Sequence, residues 1–371
     1  MLKVSAPGKL MIAGEWAVLE LGHPCIVAAV NRRVHSEIKN SEKYIVSLPE
    51  FGIENTEGIF YNDKFSWNNK VDEEKLMFTK SAIETALGFL EKSKPFNLIS
   101  RGEDTQISMN SKLKKIGFGS SAAAVVSNIS AILELNGVDI SKKESKDTIY
   151  KLSALAHYYA QGKLGSAFDI AASVYGEIIV YRRFDAEQVV KKIESGASIK
   201  DIVSMDWPGL FVEELKVPEG LNLNIFWTGD SASTPAMIKQ MGDFKISNVQ
   251  KYNKICSQIK SIVNRLIDAC KNGNRDEIIR LLNANEEILR TLTKESGVNI
   301  ETEKLKQLSE IAKKSGAAGK LSGAGGGDCG IVICFSKNLS EEIRVELEKE
   351  NLIFVDAKID NEGVKLENNS T

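Results

Sequence analysis

A chain of 371 residues has room for about two domains with ample core, and 43% hydrophobic with 26% charged residues is the balance of a globular protein. A formal charge of −2 gives no electrostatic basis for nucleic-acid or membrane binding, and no apolar run reaches the length of a bilayer. Five scattered cysteines without metal spacing read as buried thiols in a reducing, cytoplasmic setting, and three histidines leave little support for a His-based nucleophile or metal centre. Residues 1–6 read as a first strand rather than a signal peptide. Strands follow at Ile26–Ile38 and Tyr44–Leu48, where Val and Ile partly alternate. Helical spacing of Leu76, Phe78, Ile83, Ala86, Leu87 and Leu90 predicts a helix over 73–92. A strand at 107–109 leads to a glycine-rich run, with helices from Ser120, over 141–161 and at 168–175, then a strand at 177–182.

After Phe184 the pattern changes, and the division between domains is placed there, giving 1–184 and 185–371. Strands near 210–217 and 223–227 precede helices at about 234–242, 246–272, 275–295 and 301–315. A strand at 331–335, a helix near 340–350 and a last strand at 352–357 close the chain, and the polar tail 361–371 reads as frayed.

Three glycine blocks carry the chemistry. The run Lys115-Ile116-Gly117-Phe118-Gly119-Ser120-Ser121-Ala122 stands before a long apolar helix. Glycines let backbone N–H groups approach a ligand, and a helix start adds unpaired N–H groups and a positive dipole end, which together cradle phosphate. A plain capped helix after a Gly turn explains the run equally well taken alone. The others are Ala6-Pro7-Gly8-Lys9, continuing to Gly14-Glu15-Trp16, and Lys320-Leu321-Ser322-Gly323-Ala324-Gly325-Gly326-Gly327-Asp328-Cys329.

In this order and at these separations the three blocks resemble the GHMP kinase superfamily, whose members phosphorylate small metabolites with ATP. The resemblance spans nearly the whole chain, with Phe118 where the pattern usually has Leu. It implies an α+β two-domain fold: an N-terminal ribosomal-protein-like α/β domain and a C-terminal ferredoxin-like domain, with ATP and substrate meeting between them. Gly162–Asp169, Val180–Phe184 and Trp227–Thr234 further resemble the phosphomevalonate kinase branch. That branch transfers the γ-phosphate of MgATP to (R)-5-phosphomevalonate in the mevalonate route to isoprenoids.

The resemblance also implies roles. Asp169 matches the catalytic aspartate, a base or a group that orients the acceptor, and Lys9 stabilises the transferring phosphoryl group. Lys115, Gly117, Phe118, Gly119, Ser120, Ser121 and Ala122 would bind ATP, with Ser121 on Mg²⁺. Lys9, Glu15, Trp16, Gly165, Ser166, Ser233, Thr234, Ser322, Gly323, Ala324 and Gly325 would face the substrate. Lys115 is the best counter-charge for an anionic acceptor, ahead of Arg101, Lys112, Lys114 and Arg182. Two departures stand out. Trp16 occupies a position usually held by Tyr, and Tyr158 stands where mevalonate kinases place a metal-binding Glu, which argues against that activity. The rival readings are another kinase or decarboxylase of the superfamily and a non-catalytic ligand sensor on the same fold. The expected partners are small molecules alone, with the chain a monomer or homodimer.

Overall fold

The computed structural model describes residues 1–102, 105–109, 112–162, 165–230 and 234–367. Its first half runs Leu2–Ala13 (β1), Pro24–Asn40 (β2), Tyr44–Leu48 (β3), Ile53–Tyr61 (β4), Lys64–Trp67 (β5), Glu73–Leu90 (α1), Phe96–Arg101 (β6), Gln106–Met109 (β7) and Lys112–Lys115 (β8). Then come Ser120–Leu135 (α2), Lys143–Ala160 (α3), Phe168–Tyr175 (α4), Ile178–Arg182 (β9), Ala186–Glu194 (α5), Ile199–Ser204 (α6) and Phe211–Glu214 (β10). The second half runs Asn222–Trp227 (β11), Thr234–Ser247 (α7), Val249–Lys271 (α8), Arg275–Ser296 (α9), Glu303–Lys314 (α10), Ala318–Leu321 (β12), Cys329–Cys334 (β13), Lys337–Lys349 (α11), Ile353–Val355 (β14) and Lys365–Leu366 (β15).

The first sheet has the order β10-β9-β2-β6-β3-β4-β5, with β1 joined to both β2 and β15. The long strand β2 holds it together, pairing with β1 along its length, with β9 over residues 24–28 and with β6 over residues 35–40. Its pairing with β1 shifts register between Pro7 and Gly8, a bulge of the kind that bends a strand and re-aims its side chains. Helix α2 is buried nearly all round by its Ala, Val and Ile residues and lies on β1 and β2 between α1 and α3. A helix apolar on every side belongs in the interior, and each Val or Ile buried there contributes about 1.5–3 kcal/mol.

The second sheet has the order β12-β13-β11-β14 and is antiparallel throughout, which with helices between β11 and β12 and between β13 and β14 is the split βαβ arrangement of ferredoxin-like folds. Helix α8 buries Tyr252, Ile255, Ile259, Ile262, Val263 and Leu266 along one stripe and packs on α9. One apolar core joins the halves: Leu10, Ile12, Trp16, Ile116 and Phe118 pack with Trp227, Leu289 and Leu321. The walls of the cleft between the sheets are therefore held by shared packing.

Three features depart from expectation. Helices α5 and α6 and strand β12 read as no element in the sequence, because their apolar stripes are short. The two helices are set by caps, with Asp185 accepting from Glu187 and Gln188, and a reciprocal Ser198–Asp201 box. Strand β8 intervenes between β7 and the glycine run, forming a hairpin with β7. Residues 186–214 pack on the first sheet, where β10 pairs with β9 and Val189, Ile202, Val203 and Trp207 join its core. The expectation of a frayed tail is corrected for residues 361–367. Strand β15 pairs with Val4 and Ser5, and the buried Arg33 guanidinium is ion-paired with Asp360 and donates to the Ser5 and Gly363 carbonyls at 3.0 and 2.6 Å. Residues 368–371 lie outside the described residues.

Candidate active site

The glycine run enters α2 through Gly119, whose φ of +71° is in the left-handed region, and no side chain caps the helix. Its first N–H groups and positive dipole end therefore face the cleft without a built-in partner. Gly117 has a different reason to be glycine. Its N–H donates to Asp328 Oδ1 at 2.8 Å, and a Cβ there would fall 1.6 Å from Asp328 Oδ2. Burial pushes the Asp328 carboxyl up, while the Lys9 ammonium and the Gly117 N–H pull it back.

Lys9 reaches this loop from β1. Its backbone N–H donates to the Phe118 carbonyl at 2.8 Å, and its ammonium donates to the Gly117 carbonyl at 2.8 Å. Gly8 permits this approach, since a Cβ on it would meet the Phe118 carbonyl at 2.7 Å. Asp169 stands in the first turn of α4, half-buried, with Oδ1 accepting the Ile170 N–H at 3.0 Å. A Cβ built on Gly119 would lie 3.1 Å from Lys9 Cγ and 3.7 Å from Asp169 Cβ, so the three residues meet. Lys9 bonds Gly117 rather than Asp169, and among the described residues no ion pair joins Lys9 and Asp169. The loop before Asp169 is braced from below, where Tyr181 donates to the Ser166 carbonyl and Tyr150 lies 2.9 Å from the Tyr181 hydroxyl.

A cavity of about 630 Å³ opens between the two sheets, the size of a small-molecule site. Lys9, Glu15, Trp16, Gly117, Gly119, Ser120, Ser121, Gly165, Ser166, Asp169, Thr234, Ser322, Gly323, Ala324 and Gly325 all line it. Phe118 and Ala122 do not: both side chains are fully buried in core, and Phe118 contributes only its carbonyl to Lys9. Ser233 and the side chain of Lys115 lie outside what is described, as do the side chains of Lys112 and Lys114. Arg101 is exposed on β6, and Arg182 stacks 4.4 Å over the Phe211 ring; neither lines the cavity.

Several lining residues are committed to the protein itself. Ser322 donates to the Met11 carbonyl at 2.9 Å, and a Cβ on Gly325 would strike the Ile300 carbonyl at 2.1 Å, so that glycine serves close packing of the loop. Glu15 is ion-paired with Lys320 in a fully buried contact. Among the described residues, three buried polar atoms on the cavity wall have no protein partner: Glu15 Oε2, Trp16 Nε1 and Ser166 Oγ. Such atoms cost about 1–3 kcal/mol each when left unpaired, and in a concave site they mark where a ligand supplies the partner. Trp16, Ala167 and Asp328 also hold φ of 63°, 61° and 56°, a strained region for non-glycine residues that concentrates at functional sites.

Three residues of the site escaped the sequence reading. Asp328 stands beside the late glycines but has no role assigned from the sequence. Lys320 stood in the same block without an assigned role. His157 lies in an apolar helical stripe and gave no signal at all. It is buried, its Nε2 is 3.2 Å from Ser121 Oγ and its ring stacks on Phe78; burial pushes its pKa down and Asp169 pulls it up. Its neighbour Tyr158 packs edge-on to Tyr159 and does not line the cavity. Among the described residues no group of three or more His, Cys, Asp or Glu forms a metal cluster, and no helix is long and apolar enough to cross a membrane.

Comparison with known proteins places this geometry. Residues 80–177 match the model of the GHMP kinases N terminal domain, and residues 266–353 match that of the GHMP kinases C terminal domain. A phosphomevalonate kinase of Streptomyces sp. (strain CL190) is 29% identical over 344 residues, covering 88% of each chain. The crystal structure of a Lin0012 protein from Listeria innocua superposes with a TM-score of 0.88 at 32% identity, covering 99% of both chains. A Streptococcus pneumoniae phosphomevalonate kinase, solved in complex with phosphomevalonate and AMPPNP, shares the fold with a TM-score of 0.81 at 23% identity, covering 97% of this chain and all of that one.

Proposed function

Since the chain belongs to the GHMP kinases, we propose that it transfers the γ-phosphate of ATP to (R)-5-phosphomevalonate, giving (R)-5-diphosphomevalonate and ADP. The bond from Pγ to the bridging oxygen of ADP breaks, and a bond from Pγ to an oxygen of the acceptor's phosphate forms. One observation carries the reading: an uncapped helix start, a lysine and an aspartate meet at Gly119 on the wall of a single cavity. A ligand sensor would need the cradle but not the other two. The acceptor follows from full-length relatives such as the Streptomyces phosphomevalonate kinase and from the neighbour that holds phosphomevalonate with an ATP analogue.

The α2 start offers N–H groups to the nucleotide's phosphates. Phosphate oxygens fit a magnesium ion here in company with the Ser121 hydroxyl, since the described residues provide no acidic cluster to hold one alone. Magnesium, when bound, neutralises charge developing on the phosphate oxygens. Lys9 spends one N–H on the Gly117 carbonyl, leaving its other donors for the transferring group. Trp16 Nε1 and Ser166 Oγ are unpartnered donors suited to an anionic acceptor. A phosphate monoester is largely a dianion at neutral pH, its second pKa being about 6, so Asp169 orients the acceptor and balances charge more than it removes a proton.

Two outcomes are expected. In a coupled assay of ADP release with MgATP, kcat/KM for 5-phosphomevalonate exceeds that for mevalonate by roughly 10²-fold or more, because the unpaired donors would be left without partners by the smaller acceptor. A higher kcat/KM for mevalonate overturns the acceptor assignment and leaves the family intact. Gly119→Val forces a β-branched residue into left-handed backbone and pushes it against Lys9, so MgATP affinity falls about tenfold or more and the melting temperature by a few degrees. Calorimetry returning wild-type affinity would remove the cradle.

A further inference from the structure

A second group of charges runs from Glu15 on the cavity wall into the interior and takes no part in the steps above. The ammonium of Lys320, on β12 and 1% exposed, is paired with Glu15 and donates to the Leu321 carbonyl at 2.6 Å. Behind it on α9, Glu286 is 3% exposed. Its Oε2 accepts the Leu321 N–H at 3.3 Å, while Oε1 has no donor. Glu301, ahead of α10, lies against Glu286 and is gripped by Arg290 through two bonds of 2.7 Å each. Arg290 also faces Glu310.

The set thus opposes three carboxyl groups, Glu15, Glu286 and Glu301, with two cations, the buried Lys320 and the half-buried Arg290. Each cation is already committed to one carboxylate, and among the described residues Glu286 has no cation within 4 Å. A buried carboxylate without a counter-charge takes up a proton instead. A protonated Glu286 can also use its otherwise partnerless oxygen to donate to Glu301. Burial pushes Glu286 well above the usual carboxylate range; Glu301 and Glu15 add to that push and Lys320 opposes it.

We propose that Glu286 carries a proton at neutral pH and acts as a positioning residue, through Lys320 and Glu15, on the Gly-rich wall of the cavity. While Glu286 is neutral, Lys320 stays on Glu15, tying β12, which leads directly into the Gly-rich wall, to the loop after β1. Loss of the proton creates a competing carboxylate for Lys320, loosens Glu15 and shifts the Gly323 loop. The consequence is a rise in KM for the acceptor above neutral pH, with kcat less affected.

The rate readout rests on the proposed kinase activity; the proton itself is tested without substrate. Glu286→Gln mimics the neutral carboxyl. It should keep kcat and KM at neutral pH within about threefold of wild type and abolish the alkaline rise in KM. Superimposable alkaline limbs, or a loss above about tenfold at neutral pH, overturn the positioning role. Infrared difference spectra of the unliganded wild-type protein, taken across a pH step from neutral to alkaline, should lose a protonated-carboxyl band that Glu286→Gln lacks. Absence of that band in wild type overturns the proposal whether or not the variant folds. The stability slope gives a further check: between pH about 4.3 and the raised folded-state pKa, Glu286 keeps a proton in the folded chain that it loses on unfolding, so its contribution to stability falls as pH rises through that window, and Glu286→Gln removes that part of the slope. Failure of every acceptor in the ADP-release assay would defeat the kinase reading and leave the infrared result to decide the proton.

Discussion

Asp169→Asn is expected to lower kcat by about 10²–10⁴-fold, the range for a positioned acid–base or orienting group. The geometry makes this a clean test. Asp169 is half-buried and makes no ion pair among the described residues, and an Asn can still accept the Ile170 N–H through Oδ1. The loop beneath it is held by Tyr181 on the Ser166 carbonyl and is untouched by the change. The melting temperature should therefore stay within a few degrees of wild type, and MgATP affinity, set by the α2 start, should hold within about threefold. Steady-state kcat with calorimetric ATP binding on the same preparation separates the terms. Near-normal turnover would remove Asp169 from the reaction.

Lys9→Met should cost about 10²–10³-fold in kcat, as loss of a preorganised donor to a developing charge does. A second signature follows from Asp328. Burial raises its carboxyl pKa and the Lys9 ammonium lowers it. Removing that ammonium lets the pKa climb further, so Asp328 becomes protonated at a higher pH and its grip on the Gly117 N–H weakens there. The acid limb of the pH–rate profile should move to higher pH in Lys9→Met, and an added Asp328→Asn should abolish the shift. Lys9→Arg should not restore full rate. The lysine stem fits against Gly119 at 3.1–3.2 Å from where a Cβ would stand, and a planar guanidinium neither fits that slot nor reproduces a point charge. An acid limb that stays fixed in Lys9→Met would mean that the two residues are not electrostatically coupled.

The parts of the site that were legible share a physical character. The run from Gly117 to Ser121 announces itself because a left-handed N-cap and an uncapped helix are produced by residues next to one another. Asp169, two residues past the left-handed Ala167 in the first turn of α4, was singled out only by the resemblance, since an Asp at a helix start reads equally well as a cap. The amphipathic stripes of α8, α9 and α10 were readable because helical period is a property of one segment. Where the local pattern was short the reading failed. Helix α6 has six residues and rests on a Ser198–Asp201 box, and β12 has four residues with no alternation, buried along its whole length.

What escaped the sequence joins distant residues. Asp328 meets Gly117 across 211 positions, Lys320 meets Glu15 across 305, and Ser121 meets His157 across 36. Nothing local requires any of these contacts. Asp328 could as well have been a solvated turn residue and Lys320 a surface lysine, since most lysines are exposed. The tail shows the same limit: its polarity reads as solvent-facing, yet Arg33, buried on β2, needs Asp360 and the Gly363 carbonyl as partners and draws residues 360–367 onto β1. By itself, then, the sequence determined the glycine run ahead of α2, the long amphipathic helices and the resemblance to the GHMP kinases, because dihedral preference, helical period and motif spacing act within a few residues. Only the tertiary structure decided which charges are buried and with whom. Burial depends on how the two sheets close on one another, and in that closed interior an unpaired charge is too costly to leave alone.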